Sequence, residues 1–220
     1  MQKTLKDFKE TSEISEYLEE NGVMRLFRRA EKFVKENFPE DVEWSLRASE
    51  NVDWDREKFI CEYVFAVYVS GFRYSVIQGR MDSFRKVFYD WNLEKILRYE
   101  NEVKIGARKL VNNRNKINGI IRGLKILEKL DFDIFKGDVM KDINTLKMFP
   151  YVGNIIKYQL ARNLGYDVIK PDKHIVRIAE KYGLDPFEMC SMISKITQYK
   201  VHTVDSILWR YAEQGMVSYD

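Results

Sequence analysis

The chain has 220 residues, 45% of them apolar and only four of them proline, enough for one substantial core shared by at most two lobes. Its formal net charge of +3 does not by itself point to nucleic acid, and its richness in lysine and glutamate fits an ordinary solvated surface or a thermophilic origin. No apolar run approaches the ~20 residues that span a bilayer, and the first twenty residues are too charged for a secretory signal, so a cytoplasmic, nucleoid-associated protein is expected. Cys61 and Cys190 lie in apolar helical patterns and read as buried thiols; two cysteines cannot build a four-cysteine iron–sulfur centre or a cysteine-rich zinc site.

In chain order, residues 11–21 and 23–37 read as amphipathic helices broken at Gly22, the second burying Leu26, Phe27, Ala30, Phe33 and Val34; Pro39 ends the pair. Residues 40–53 have no clear period and are expected to form a loop carrying Trp44, with Trp54 just beyond. Asp55 caps a helix that is apolar nearly all round and therefore central to the fold. Gly71 interrupts it, and residues 73–91 continue as one or two helices with Val76, Ile77, Phe84, Val87 and Phe88 inward. Asn92 caps the next helix. A short helix, a polar turn at Asn112 and Asn113, and a long helix follow, the last with Ile117, Ile120, Ile121, Leu124, Leu127 and Leu130 on its core side.

From Asn101 to Lys129 eight basic residues (Lys104, Arg108, Lys109, Arg114, Lys116, Arg122, Lys125, Lys129) stand against two acidic ones (Glu102, Glu128). Such a face meets phosphates or is simply solvated; Arg114 and Lys116 are carried forward as candidate phosphate contacts. Two helices close the chain, around residues 185–199 and 202–215. With no alternating strand pattern and no repeat, the expected fold is all α: a two-lobed helical bundle with a central cleft, one lobe made of residues 1–54 plus 165–220 and the other of 55–164.

The stretch KDINTLKMFPYVGNIIKYQLARNLGYDVIKPDKHIVRIAE, residues 141–180, organises the rest. Asp142 and Asn144 cap a short helix carrying Ile143, Leu146 and Phe149, and Pro150 ends it. Gly153 starts the next helix, where Ile156, Leu160, Ala161 and Leu164 form an apolar stripe, and Gly165 closes it. The tetrapeptide Pro150-Tyr151-Val152-Gly153 suits a turn that points N–H groups at an anion such as phosphate. Asp172, after Pro171, stands at the mouth of a third helix.

FPYVGN followed by a helix and then PDKHIVR resembles the hairpin (usually Leu-Pro-Gly-Val-Gly) and the Asp-x-His-φ-x-Arg segment of the helix-hairpin-helix DNA glycosylase superfamily, with the motif at 142–164 here. Upstream, WDREKFICEYVFAVYVSGFRYSVIQGRMDSFRKVF and LVNNRNKINGII are similar to the 3-methyladenine DNA glycosylase I branch, and DSILW resembles the superfamily's final core helix. The matches cover most of residues 43–213. They imply a monofunctional DNA N-glycosylase that flips a damaged or modified base out of double-stranded DNA, with an alkylated purine as the first guess, and removes it for base excision repair.

Glycosidic cleavage builds positive charge on the sugar as the bond to C1′ lengthens, and a carboxylate below the ring stabilises it and orients water. The resemblance gives this part to Asp172, which local sequence equally explains as an N-cap. Strand-cutting relatives carry a Schiff-base lysine two residues after the last hairpin glycine; that position is Ile155 here. Lys157 stands two residues further, about 200° round the helix and so facing away, and Lys170 and Lys173 are the other nearby amines. Hairpin backbone around Pro150, Tyr151, Val152, Gly153, Asn154 and Ile155 is expected to hold the DNA backbone, with Tyr151 a tolerated exposed residue in place of the usual Gly and Lys173 and Arg177 as further phosphate contacts. The resemblance also implies a monovalent cation on the hairpin carbonyls; no other cofactor is required.

At the base pocket the likeness fails. The branch's glutamate and tryptophan fall at Phe65 and Arg73, with Glu62 and Tyr74 off register, and its zinc site has no counterpart: Cys61, Cys190, His174 and His202 lack ligand spacing. Trp44, Trp54, Tyr68, Phe72 and Tyr74 are the pool for stacking a flipped base. A monomer is expected. The competing reading is a helix-hairpin-helix protein that recognises distorted DNA without catalysis, against which Asp172 argues, because binding alone needs no carboxylate close to phosphates.

Overall fold

The computed structural model describes residues 3–48 and 52–219, and these form fourteen α-helices and three short 3-10 helices, with no strand among the described residues. No helix among them is long and apolar enough to cross a membrane. The chain divides into two compact units, one of residues 1–52 and 165–220 and one of the continuous stretch 53–164.

The first unit begins with a 3-10 turn, Leu5–Asp7, then α1 (Thr11–Glu20) and α2 (Val23–Asn37). Gly22 separates them at φ +85°, a left-handed conformation that glycine adopts without a Cβ penalty. α2 buries Val23, Met24, Leu26, Phe27, Ala30 and Val34 at helical spacing, while Phe33 is half-buried. Residues 40–48, expected as part of a loop, instead belong to α3 (Pro39–Ala48). Pro39 starts this helix rather than only ending the previous one, because its fixed φ suits a first helical position and the N–H it lacks has no partner there. Glu40 and Asp41 in the first turn add a favourable interaction with the helix dipole. Residues 49–51, the rest of that expected loop, lie outside the described residues.

The second unit is built on α4 (Arg56–Val69). Asp55 caps it, its carboxylate accepting the Lys58 N–H at 2.7 Å, and Phe59, Ile60 and the whole run from Tyr63 to Tyr68 are buried. Trp54, Phe59, Tyr63, Phe132, Phe135 and Phe149 form one aromatic cluster, with Phe59 5.0 Å from Phe149 and 5.2 Å from Phe135 between ring centroids. Each fully buried ring contributes roughly 2–3 kcal/mol relative to exposure. After Gly71, again left-handed, come α5 (Tyr74–Gln78) and α6 (Met81–Val87). Val76 faces solvent at 39% exposure, against expectation, whereas Ile77, Phe84 and Phe88 are buried. The helical run breaks at Tyr89, Asp90 and Trp91, three consecutive non-glycine residues with φ between +50° and +66°. That strained turn is held by the Arg85–Asp90 ion pair at 2.9 Å, the Tyr89 hydroxyl on Glu102 at 2.7 Å and the burial of Trp91. Asn92 caps α7 (Leu93–Arg98), followed by α8 (Glu100–Leu110), α9 (Arg114–Lys129), capped by Asn113, and α10 (Phe132–Lys141), capped by Asp131.

α9 corrects two sequence expectations. Leu130 is only half-buried, and Lys116, a candidate phosphate contact, is 8% exposed with its ammonium donated to the carbonyls of Val67, Tyr68 and Ser70. Those carbonyls belong to the last turn and end of α4, which has no following turn to satisfy them, so Lys116 acts as a distant C-cap. The rest of the basic stretch is unevenly available: Lys104 and Lys125 both pair with Glu100, while Arg114 is exposed.

The remainder of the second unit is a 3-10 helix (Ile143–Met148) and α11 (Ile156–Asn163). The chain then returns to the first unit with α12 (Lys173–Lys181), α13 (Pro186–Thr197) and α14 (Val201–Glu213). α14 packs on α2, α3, α12 and α13 and places Val204, Ile207, Leu208 and Tyr211 in the shared core. Arg210 pairs with Asp41 of α3 and lies 4.9 Å from the Phe38 ring centroid.

Replacing Lys116 by Met keeps the buried stem and strands three carbonyls. Lys116→Met is expected to lower stability by about 2 kcal/mol in urea titration; an unchanged midpoint would show that water caps α4 equally well.

Candidate functional site

Two features in the stretch 141–180 concentrate backbone and carboxylate chemistry, one in each unit. In the second unit the Asp142 carboxylate accepts the Asn144 N–H at 2.8 Å and opens the 3-10 helix 143–148. Phe149 then enters the aromatic cluster, 5.4 Å from Tyr63, and the chain turns through Pro150 and Tyr151. Tyr151 has φ +69°, the left-handed region that costs a residue with a Cβ about 1 kcal/mol. Two glycines of α9 hold this turn. A Cβ on Gly119 would stand 2.2 Å from Cε2 of Tyr151, and one on Gly123 would stand 2.3 Å from the Tyr63 hydroxyl. Tyr63 in turn donates to the Pro150 carbonyl at 2.9 Å. Tyr151 is thus 42% exposed yet seated in a notch that only glycine leaves open.

Beyond the turn the ladder restarts, Lys157 N–H donating to the Gly153 carbonyl at 3.1 Å, and α11 buries Leu160, Ala161 and Leu164 while Ile156 is half-buried. The N–H groups of Asn154, Ile155 and Ile156 make no hydrogen bond among the described residues. Three free donors at a helix N-terminus suit an anion. Ile155 is 40% exposed, whereas Lys157 is buried with its ammonium on the Asn144 side-chain oxygen at 2.6 Å. The carbonyls of Phe149, Pro150, Tyr151 and Gly153 each accept one hydrogen bond, which leaves each a second lone pair. Among the described residues no group of three or more His, Cys, Asp and Glu side chains is placed to hold a metal.

In the first unit Asp172 is the N-cap of α12. Its Oδ1 accepts the N–H of His174 at 2.9 Å and of Ile175 at 3.4 Å, and its Oδ2 lies 3.7 Å from the Lys170 ammonium. Both side chains are mostly buried, 15% and 17% exposed. A tight turn across Pro171 adds the Asp172 N–H on the Lys170 carbonyl at 2.7 Å. The carboxylate is therefore fixed at both oxygens and retains a little contact with solvent. Burial draws the pKa of His174 down, against the nearby Asp172 charge. Lys173 and Arg177 are exposed, Arg177 with its guanidinium 5.8 Å from the Tyr219 ring centroid.

The five aromatic candidates do not form one group. Trp54 and Tyr68 are core residues, 1% and 0% exposed, Trp54 within the aromatic cluster and Tyr68 stacked on Phe84 at 4.6 Å. Tyr74 sits edge-on to Phe65 at 5.7 Å, and Phe72 is 39% exposed with the Lys116 ammonium 5.5 Å from its centroid. Trp44 belongs to the first unit, 42% exposed and edge-on to His202.

Glu62, set aside in the sequence as off register, has the more distinctive surroundings. It lies on α4, partly exposed, and Asn163 of α11 donates to its Oε2 at 2.8 Å; Gln159 donates in turn to Asn163 Oδ1 at 2.8 Å. Burial pushes its pKa up to about 7, opposed by the Asn163 hydrogen bond and the Lys58 charge. The available signal was a lone carboxylate in an apolar helix; its partner, a hundred residues away, was not visible. The neighbouring Cys61 thiol is pushed up to about 12 by burial and is inert as a nucleophile at neutral pH.

Compared with family models, curated proteins and solved structures, the chain matches none.

Because the folded-state pKa of Glu62 exceeds its unfolded value, the folded protein binds the extra proton between about pH 4.5 and 7, and stability is lost as pH rises through that window. Glu62→Gln should remove this loss and gain up to about 3 kcal/mol at pH 8 over wild type, with little change at pH 4.5; parallel urea midpoints across the pH range would refute it. Gly119→Ala should cost about 1–2 kcal/mol by displacing the Tyr151 ring. Adding Tyr151→Gly, which suits φ +69° and vacates the notch, should recover most of that loss in a double-mutant cycle.

Proposed function

We propose that this protein is a monofunctional DNA N-glycosylase that acts on double-stranded DNA. The observation that carries the reading is the carboxylate of Asp172, fixed at a helix N-terminus by two N–H groups and the Lys170 ammonium. A carboxylate held in place is what an oxocarbenium-like sugar needs: it stabilises positive charge as it develops and costs no reorganisation at that moment. As the C1′–N bond breaks, the base leaves with the bonding electrons and takes up a proton. Water oriented by Asp172 adds to C1′ and gives up its own proton, leaving an abasic site.

The turn at 149–156 supports the same reading from the other unit. It is a helix-hairpin-helix by this interpretation, with the N–H groups of Asn154, Ile155 and Ile156 contacting a DNA phosphate independently of sequence. Ile155 occupies the place of the amine used by strand-cutting enzymes and Lys157 is engaged with Asn144, which favours hydrolysis over lyase chemistry. Arg114, Lys173 and Arg177 are exposed cations available to further phosphates. An alkylated purine is the first substrate class and another modified base the second, by analogy with the resembling branch. The protein acts in base excision repair as a cytoplasmic, nucleoid-associated monomer.

Base release from duplexes carrying alkylated, deaminated and oxidised bases tests this. Wild type should release one class, with strand breaks only after alkali, and Asp172→Asn should lower the rate by about 10²-fold or more while leaving duplex affinity within about threefold. Breaks without alkali would replace hydrolysis with amine chemistry, Lys170 being the first lysine to test. Binding without release on every duplex would favour a non-catalytic reader of distorted DNA.

A further inference from the structure

The loop 165–172 that delivers Asp172 is stapled to the first two turns of α14 at two points. Asp167 Oδ1 accepts the His202 N–H at 2.9 Å, and Oδ2 of Asp205 accepts the Lys170 N–H at 3.0 Å. Asp205 is fully buried, as are its helix neighbours His202, Thr203 and Val204. A carboxylate taken out of water costs several kcal/mol unless its contacts repay it, so its presence on the buried face of a core helix calls for a role. Lys170 is the common element. Its N–H is held by Asp205, its carbonyl accepts the Asp172 N–H, and its ammonium stands 3.7 Å from Asp172 Oδ2.

We infer that Asp205 is a positioning residue for Asp172: by anchoring the Lys170 backbone it sets the Pro171 turn and aims the Lys170 ammonium at one oxygen of the Asp172 carboxylate. The inference rests on the reading of Asp172 as the group beneath the sugar. Asp205 touches neither DNA nor the reacting atoms and acts on Asp172 through Lys170. Asp205→Asn keeps an acceptor oxygen of the same shape for the Lys170 N–H, whereas Asp205→Ala removes it. Lys170→Met leaves the Asp205 anchor and deletes only the ammonium. The three variants therefore separate anchoring from charge.

In single-turnover base release on a duplex that wild type processes, Asp205→Ala should lose roughly 10- to 100-fold in rate with duplex affinity unchanged, the size expected for a reacting group displaced by about an ångström. Asp205→Asn should recover most of that loss, and Lys170→Met should lose a similar factor with the loop still ordered. Amide hydrogen exchange by NMR supplies a readout independent of activity. Asp205→Ala should deprotect the Lys170, Asp172 and His174 amides while the amides of Ile207 and Leu208 in the core of α14 stay protected. Equal rates in Asp205→Ala and wild type, with unchanged exchange at Lys170, would overturn the inference, as would uniform loss of protection through α14, which marks a merely structural carboxylate. Should wild type release no base from any duplex, the glycosylase reading fails by itself, and the exchange pattern still decides whether Asp205 orders the Asp172 clamp.

Discussion

In the second unit one contact ties the turn at Pro150 to the central helix: the Tyr63 hydroxyl on the Pro150 carbonyl, made possible by the missing side chain of Gly123. Tyr63 belongs to the central helix and Pro150 to the turn, so this bond ties the turn to the deeply buried helix of the unit. Around it the sequence supplies reinforcement from independent directions: Phe149 in the aromatic cluster behind and Tyr151 in the Gly119 notch beside. A turn with a strained, left-handed tyrosine would relax if any one of these were absent. With all three, the N–H groups of 154–156 follow a turn that is held from three sides.

Both units place ionisable groups where water is scarce, and each is answered differently. Lys116 is surrounded by carbonyls and serves as a cap, even as burial draws its pKa down to about 8. Glu62 has one amide donor and a pKa raised to about 7. Asp172 has two N–H donors on one oxygen and the Lys170 ammonium 3.7 Å from the other. Burial alone thus fails to single out a chemical site, because all three groups are withdrawn from water and each is met by different partners.

How much of this was legible in the sequence follows from how far apart the interacting groups lie. Caps act within three residues, so Asp55, Asn92, Asp142 and Asp172 could be read at sight, and the helix break at Gly22 likewise. Amphipathic faces follow from period, which gave α2, α9 and the all-α class, although Val76 shows that a lone apolar residue on a short helix carries little information. Pro39 misled because a proline after one helix looks the same whether it only ends that helix or also begins the next. Lys116 looked like a surface cation because its acceptors lie nearly fifty residues upstream. Trp54 and Tyr68 looked like stacking faces because burial depends on partners that periodicity does not name. The Gly119 and Gly123 seats were invisible for the same reason: a glycine inside a helix reads as a weakness until the ring that fills its place is known.

The first unit is discontinuous in the chain, and that has a temporal side. Its ties are among the longest in the protein: Leu5 N–H to Glu188, Glu31 to the Tyr199 hydroxyl, Asp41 to Arg210. Residues 1–52 leave the ribosome with the apolar stripe of α2 covered only in part, by α1 and α3, until α14 is made. The continuous stretch 53–164, complete in its own contacts, can fold in the meantime. During synthesis the amino-terminal helices are therefore the exposed party, and the charged outer face of α2, with Arg25, Arg28, Arg29, Lys32 and Lys35, keeps a nascent chain soluble while its core is still untranslated.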